Sequence, residues 1–224
     1  MSTNDPRSTL PVNVADLPRI IPVFPLPGVL LLPQGRLPLN IFEPRYVQMV
    51  RDAAKSDGMI GMIQTSEPLD ARREPKLYRT GCLGRIISSK DMDDGRILIT
   101  LSGLCRFDVM EELAHLTPYR QVVADYTRFQ DDCDATADHS AVNRPQFVER
   151  VKAYLASRGL SSDWKTVEQV PDDALVNSLA MICPYDPAEK QALLEAETVG
   201  RRADIMIAIM DFALAGAEIP PQTH

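Results

Sequence analysis

Apolar positions in the first half of the chain fall into short runs separated by turn-forming residues. Residues 19–24 are rich in Ile and Val and predict a first strand, after which Pro25, Pro27 and Gly28 interrupt pairing because proline removes a ladder donor. Residues 29–32 form a continuous apolar run, closed by the turn signal Pro33-Gln34-Gly35. Leu37, Leu39 and Ile41 then alternate with the period-two pattern of a strand that buries one face. At Glu43-Pro44-Arg45 the period changes. Proline suits a first helical turn and an acid suits its positive end, while Tyr46, Met49, Val50 and Ala53 recur at helical spacing until Asp57-Gly58. Residues 59–64 predict another strand, and residues 67–76 a charged loop. Residues 82–89 and 96–101 flank Asp93-Asp94-Gly95, the signature of a β-hairpin. Alternation at Cys105, Phe107 and Val109, then residues 121–126, completes six or seven short strands around one helix, which predicts a small barrel or a folded pair of sheets.

The pattern changes after residue 127. Residues 128–142 hold Asp131, Asp132, Asp134 and Asp138 among small polar residues and read as a linker. Helical periodicity follows to the end. Phe147, Val151, Tyr154 and Leu155 form one stripe, closed by Gly159, and residues 174–183 form a second helix between Pro171 and Pro184. Asp186-Pro187-Ala188-Glu189 predicts an amino-terminal capping box. A last helix over residues 199–214 places Ala203, Met206, Ile209, Met210 and Ala213 on one face. Four helices in so short a segment predict a bundle. The fold class is therefore α+β, organised as a flexible amino terminus (1–18), a β subdomain (19–127), a linker (128–142) and a helical bundle (143–218).

Charge narrows the function. The net charge of -7, with a sequence pI of about 5.0 and the acidic excess shared by both halves, makes nucleic acid and anionic membrane surface poor partners. No secretory signal pattern opens the chain, and no apolar stretch approaches the roughly 20 residues of a spanning helix, so a cytoplasmic location is expected. Cys82, Cys105, Cys133 and Cys183 include no CxxC pair, and His115, His139 and His224 are scattered, so neither a metal nor another cofactor is expected. Gly81 and Gly84 are not followed by the Lys-Ser/Thr of a phosphate loop, and no G-x-S-x-G elbow occurs. The acids Asp91, Asp93 and Asp94 belong to the hairpin turn, and Asp172-Asp173 to a first helical turn. The chain reads as a non-enzyme.

One feature favours binding. Leu26, Leu30 and Leu31 lie in a proline-broken run that cannot all be one buried strand face. Either part of it lines a groove for extended peptides, or it crosses the end of the barrel and packs beneath the first helix.

Three blocks carry a resemblance. Pro22-Val23-Phe24-Pro25-Leu26, with Pro33, Leu37-Pro38-Leu39 and Ile41-Phe42-Glu43-Pro44-Arg45-Tyr46, resembles the opening of the Lon protease amino-terminal domain. Gly81-Cys82-Leu83-Gly84-Arg85-Ile86-Ile87 and Leu101-Ser102-Gly103-Leu104-Cys105-Arg106-Phe107 resemble its central hairpin, and Lys190-Gln191-Ala192-Leu193-Leu194-Glu195 its helical half, so that residues 18–215 are covered. The resemblance implies a PUA-like β pseudo-barrel followed by a carboxy-terminal helical bundle. It also implies a substrate-recognition module without the ATPase and peptidase of the longer protease. Its partners would be unfolded or extended polypeptide and a protease or chaperone, with weak self-association an open matter. Glu43, Arg45 and Tyr46 match the family's motif and either contact ligand or brace the barrel, where Arg85 and Arg106 would pair with the acids. An RNA-binding PUA-like module and a small-ligand-binding protein are the alternatives.

Overall fold

The computed structural model describes residues 13–67, 74–114, 116–133, 142–160 and 164–217. The chain divides into two compact units, residues 1–137 and 138–224. The fold is α+β.

The first unit contains β1 (Ile20–Pro25), β2 (Arg36–Ile41), α1 (Pro44–Ala54), β3 (Met59–Thr65), β4 (Leu77–Asp91), β5 (Ile97–Glu112) and β6 (Gln121–Asp125), between a 3-10 turn at Val14–Asp16 and a 3-10 segment at Thr127–Cys133 that is kinked at Phe129. The strand order is β2-β5-β4-β3-β1-β6, and β6 also pairs with β5. Pairing therefore closes a ring through β5, β4, β3, β1 and β6, while β2 lies on the remaining edge of β5. All pairs are antiparallel except β1 with β3. The length of β5 permits closure. Its first half, from Ile97 to Ser102, pairs with β2, and its last residues, from Asp108 to Glu112, pair with β6. Register shifts at Leu83/Gly84, Ile86/Ser88 and Val109/Glu111 supply the extra residues that bend long strands. The ring encloses Ile21, Val23, Leu83, Cys105, Phe107 and Val122, all without solvent contact.

Two glycines decide how the chain enters this ring. Gly84 and Gly103 face each other across β4 and β5. A Cβ on Gly103 would lie 2.0 Å from the Leu32 carbonyl oxygen, and one on Gly84 would lie 2.8 Å from Leu31 Cδ2. The bare pair leaves a slot over which Leu30, Leu31 and Leu32 cross and become buried. Gln34 N–H donates to the Gly103 carbonyl and Gly103 N–H to that of Gly35, both within 2.9 Å, which seals the crossing. Gln34 takes φ 63°, so the tight turn carries some strain. β2 then runs back along β5. The apolar run is thus core, packed across the sheet.

Several expectations are corrected. Residues 13–18 belong with the first unit and are anchored at their end, where Leu17 is buried and the Pro18 carbonyl accepts from Tyr126 Oη at 2.8 Å. The two runs expected over residues 96–101 and 105–109 belong to one strand, Ile97–Glu112, continuous through Gly103. The start of the expected linker, up to Cys133, is a 3-10 segment packed on the ring: Phe129 is buried, and Asp132 takes both Nε (2.8 Å) and Nη2 (2.7 Å) of Arg106. One aromatic and one acid with a buried partner outweigh the polar composition. Arg106 consequently pairs with Asp132 and not with Glu43. Residues 134–141 lie outside the described residues.

The second unit holds α2 (Arg144–Ser157), the one-turn α3 (Trp164–Val167), α4 (Asp172–Ile182), α5 (Pro187–Glu195) and α6 (Val199–Ala217), one helix more than the periodicity predicts. The capping box forms, with Asp186 accepting from Glu189 N–H and Glu189 from Asp186 N–H, both at 2.8 Å. α6 packs against α2, α4 and α5 through buried Ala203, Met206 and Met210. The buried Arg202 is satisfied by the Leu193 carbonyl (2.8 Å) and Asn177 Oδ1 (2.7 Å).

Two stability measurements test the slot. Gly103→Ala is expected to cost more than about 3 kcal/mol in urea unfolding, because a backbone oxygen cannot yield, whereas Gly95→Ala at an open turn with φ +86° costs about 1–2 kcal/mol. Similar losses would contradict the close crossing. Leu31→Asp, which places a charge in the core, is expected to unfold the first unit by near-ultraviolet circular dichroism. A folded variant would place Leu31 at the surface.

Candidate functional site

The end of β1, the edge strand β2 and the start of α1 converge on a pocket of about 310 Å³. β1 contributes Phe24 and Pro25, and the chain continues through Leu26 and Pro27. β2 contributes Pro38, Leu39 and Asn40. Phe42, Glu43, Arg45 and Tyr46 come from the entry to α1, and Glu74, Pro75 and Arg120 close the far wall.

Local chemistry sets each piece in place. Leu26 N–H donates to the Ile63 carbonyl and Gly28 N–H to Gln64 Oε1, both at 2.9 Å, so the proline-broken segment is held against β3. Pro38 is tolerated because β2, among the described residues, has a hydrogen-bonded neighbour on one side only. Pro44 occupies the first turn of α1, and Glu43 stands at its amino-terminal cap without a side-chain capping bond. Glu43 instead accepts from Arg45 Nε at 3.0 Å and Nη2 at 2.9 Å. The Arg45 guanidinium lies 4.6 Å from the centre of the Tyr46 ring, and the Phe24 ring is 4.3 Å from the same ring.

The far wall depends on Arg120. Only 8% exposed, it donates from Nε (2.5 Å) and Nη2 (2.6 Å) to the Glu112 carboxylate and from Nη1 (2.8 Å) to the Pro75 carbonyl. Glu74 lies 3.7 Å from its Nε. Beyond this wall a second, more open hollow of about 590 Å³ is lined by Leu77, Tyr78, Arg79 and Val109 and shares Glu74, Pro75 and Arg120. Burial, more than any neighbouring charge, pushes the Tyr46 phenol above its ordinary range. Arg45 pulls it down and Glu43 pushes it up. At neutral pH Tyr46 is uncharged.

The arrangement is apolar on its floor, with two acids and two arginines around it. The described residues hold no group of three or more His, Cys, Asp or Glu placed to bind a metal ion. His115, His139 and His224 lie outside them.

Of the residues singled out from sequence, Leu26, Glu43, Arg45 and Tyr46 meet in this pocket. Leu30 and Leu31 do not. They are 2% and 1% exposed beneath the crossing, so the reading of them as peptide contacts is corrected. Their leucine-rich composition is that of a core, and the slot that takes them is formed by glycines some 50 residues or more away in sequence. Sequence reasoning misses Leu39, Phe42, Pro75 and Arg120 as pocket residues. Phe42 carries a usable signal, an aromatic directly before a helix start, and it is 66% exposed. Arg120 carries none, because its role arises from partners remote in sequence.

Comparison with known proteins agrees with this architecture. The family profile of the ATP-dependent protease La (LON) substrate-binding domain matches residues 20–211. Lon protease 2 of Myxococcus xanthus is 23% identical over 203 residues, 89% of this chain and 24% of that protein. Lon protease of Roseiflexus castenholzii is 30% identical over 121 residues, 54% of this chain and 14% of that protein. The chain thus spans about a quarter or less of the curated relatives it matches. Among solved structures, a Lon N-terminal domain protein from Xanthomonas campestris superposes with a TM-score of 0.59 at 20% identity, covering 84% of this chain and 97% of that one. The N-terminal domain of Mycobacterium avium complex Lon protease gives 0.60 at 15% identity, covering 86% and 98%. With the profile spanning most of its length, the chain belongs to the Lon protease substrate-binding domain family.

Proposed function

We propose that this protein holds unfolded or extended polypeptide in the pocket between β1, β2 and α1, without chemistry of its own, as a cytoplasmic recognition or adaptor module in protein quality control. The observation that carries the reading is the position of an apolar pocket directly beside a sheet edge that is free among the described residues. β2 offers backbone groups on its unpaired side, and the adjacent Leu39, Phe42 and Tyr46 offer apolar contact to the side chains of a strand laid there. Pro38 removes one donor from that edge, so the side-chain pocket supplies more of the preference than the backbone does. About 310 Å³ lies at the small end of ligand-site volumes and suits one or two side chains. Family membership supports the same reading, since the matched region is the substrate-binding part of Lon. No helix among the described residues is long and apolar enough to cross a membrane, which agrees with partners met in solution.

A contact of this size predicts weak, apolar binding. In a fluorescence-anisotropy titration, a labelled unfolded polypeptide is expected to bind with Kd of about 1–10 μM. That affinity should change little on raising salt to roughly 0.5 M, where the Debye length falls to a few ångströms. Phe42→Asp is expected to weaken binding at least about tenfold, or 1.4 kcal/mol, without unfolding the protein. Phe212→Asp, on the 82%-exposed aromatic of α6 in the second unit, should leave binding unchanged. Binding confined to low salt, or indifferent to Phe42→Asp, would contradict the proposal.

A further inference from the structure

Two of the four cysteines stand in a relation that polypeptide binding does not use. Cys105 lies in β5 with its thiol fully buried, 3.2 Å from the Arg106 carbonyl oxygen and 3.3 Å from that of Phe129. Cys133, half-buried, ends the 3-10 segment and packs on the hydrophobic cluster that contains Cys105.

The residues beside them are pinned together. Asp132 accepts from the Arg106 backbone N–H at 2.9 Å as well as from its guanidinium, and both side chains are buried. The same guanidinium lies 4.4 Å from the centre of the Phe129 ring. Residue pairs 105–106 and 132–133 are therefore held side by side by contacts that do not involve sulfur. Hydrogen bonding between the two thiols is also the foremost influence on the titration of each. It pulls Cys133 below the ordinary thiol range and, with burial, pushes Cys105 far above it. Cys133 is the more accessible of the two, the arrangement expected of an attacking thiol beside a buried resolving thiol.

We propose that Cys105 and Cys133 are an oxidation site, closing to an intrachain disulfide when the protein meets hydrogen peroxide. The Cys133 thiolate attacks one peroxide oxygen and the O–O bond breaks, giving a Cys133 sulfenic acid and hydroxide. The hydroxide takes up the proton lost when Cys133 ionised and leaves as water. The Cys105 sulfur then attacks the sulfenic sulfur, the S–O bond breaks, and the departing hydroxyl leaves with the Cys105 proton as a second water. Two thiols lose two electrons and two protons, and one peroxide becomes two waters. The bond fastens the 3-10 segment to β5, where the Arg106–Asp132 pair and Phe129 already hold it. Cys82 is fully buried on β4, in register with Arg106, so peroxide reaches it less readily than the half-buried Cys133, and Cys183 belongs to the second unit.

The test is peptide mapping of the whole chain under non-reducing conditions after treatment with dilute hydrogen peroxide. The expected product lacks two hydrogens and joins the tryptic peptide ending at Arg106 to the one beginning at Phe129. Cys133→Ser, a change at a half-buried position, should abolish the link and leave Cys105 as a free thiol. The oxidised wild-type protein should also melt on the order of 5–10 °C higher than the reduced, an increase absent in Cys133→Ser. Oxidation of Cys133 to the sulfinic acid with Cys105 still free would overturn the proposal. So would a link to Cys82, or one between the Cys133 residues of two chains.

Discussion

The close passage of Leu31 and Leu32 over Gly84 and Gly103 is the constraint from which the rest of the first unit follows. A side chain at Gly103 would occupy the place of a carbonyl oxygen, so the crossing exists only because two facing positions on β4 and β5 are bare. The crossing buries three leucines at once and reverses the chain through Gln34. It therefore fixes where β2 begins along β5. From that register, β2 must end where Phe42 and Glu43 enter α1, beside the last residues of β1.

The pocket is a consequence of that path. Its floor comes from segments set by the crossing, and its far wall from Arg120, which donates both to Glu112 at the end of β5 and to the Pro75 carbonyl. Arginine suits the wall because its planar fork satisfies a carboxylate and a backbone carbonyl together, which lysine could not do. Glu43 and Arg45 bind each other at the rim, so their charges are paired beside the apolar floor. The buried Arg106–Asp132 pair acts elsewhere, holding the 3-10 segment against the ring and bringing Cys133 to Cys105.

Much of the fold is legible in the sequence because period and turn chemistry act locally. The Asp-Gly hairpin, the proline-opened α1 and the Asp186–Glu189 capping box each appear where their residues predict. The β5 strand reads as two pieces because Gly103 looks like a break when its partner across the sheet is unknown. Residues 128–133 look like a linker because Phe129 is a single aromatic among acids, and the anchoring of Asp132 depends on an arginine 26 residues earlier. At the site, the motif residues Glu43, Arg45 and Tyr46 are legible together with Leu26. Leu30 and Leu31 are not, since a leucine run is equally compatible with a groove and a core until the glycine slot is seen.

The central claim is that polypeptide is held at the junction of β1, β2 and α1. Chemical-shift mapping of the 15N-labelled protein with an unlabelled unfolded polypeptide addresses it directly. The largest shifts are expected at Leu26, Leu39, Asn40, Phe42 and Arg45, with smaller ones at the Arg120 wall. Shifts concentrated instead around Ile182 and Phe212, exposed apolar residues of the helical unit, would contradict the account and move recognition to that unit.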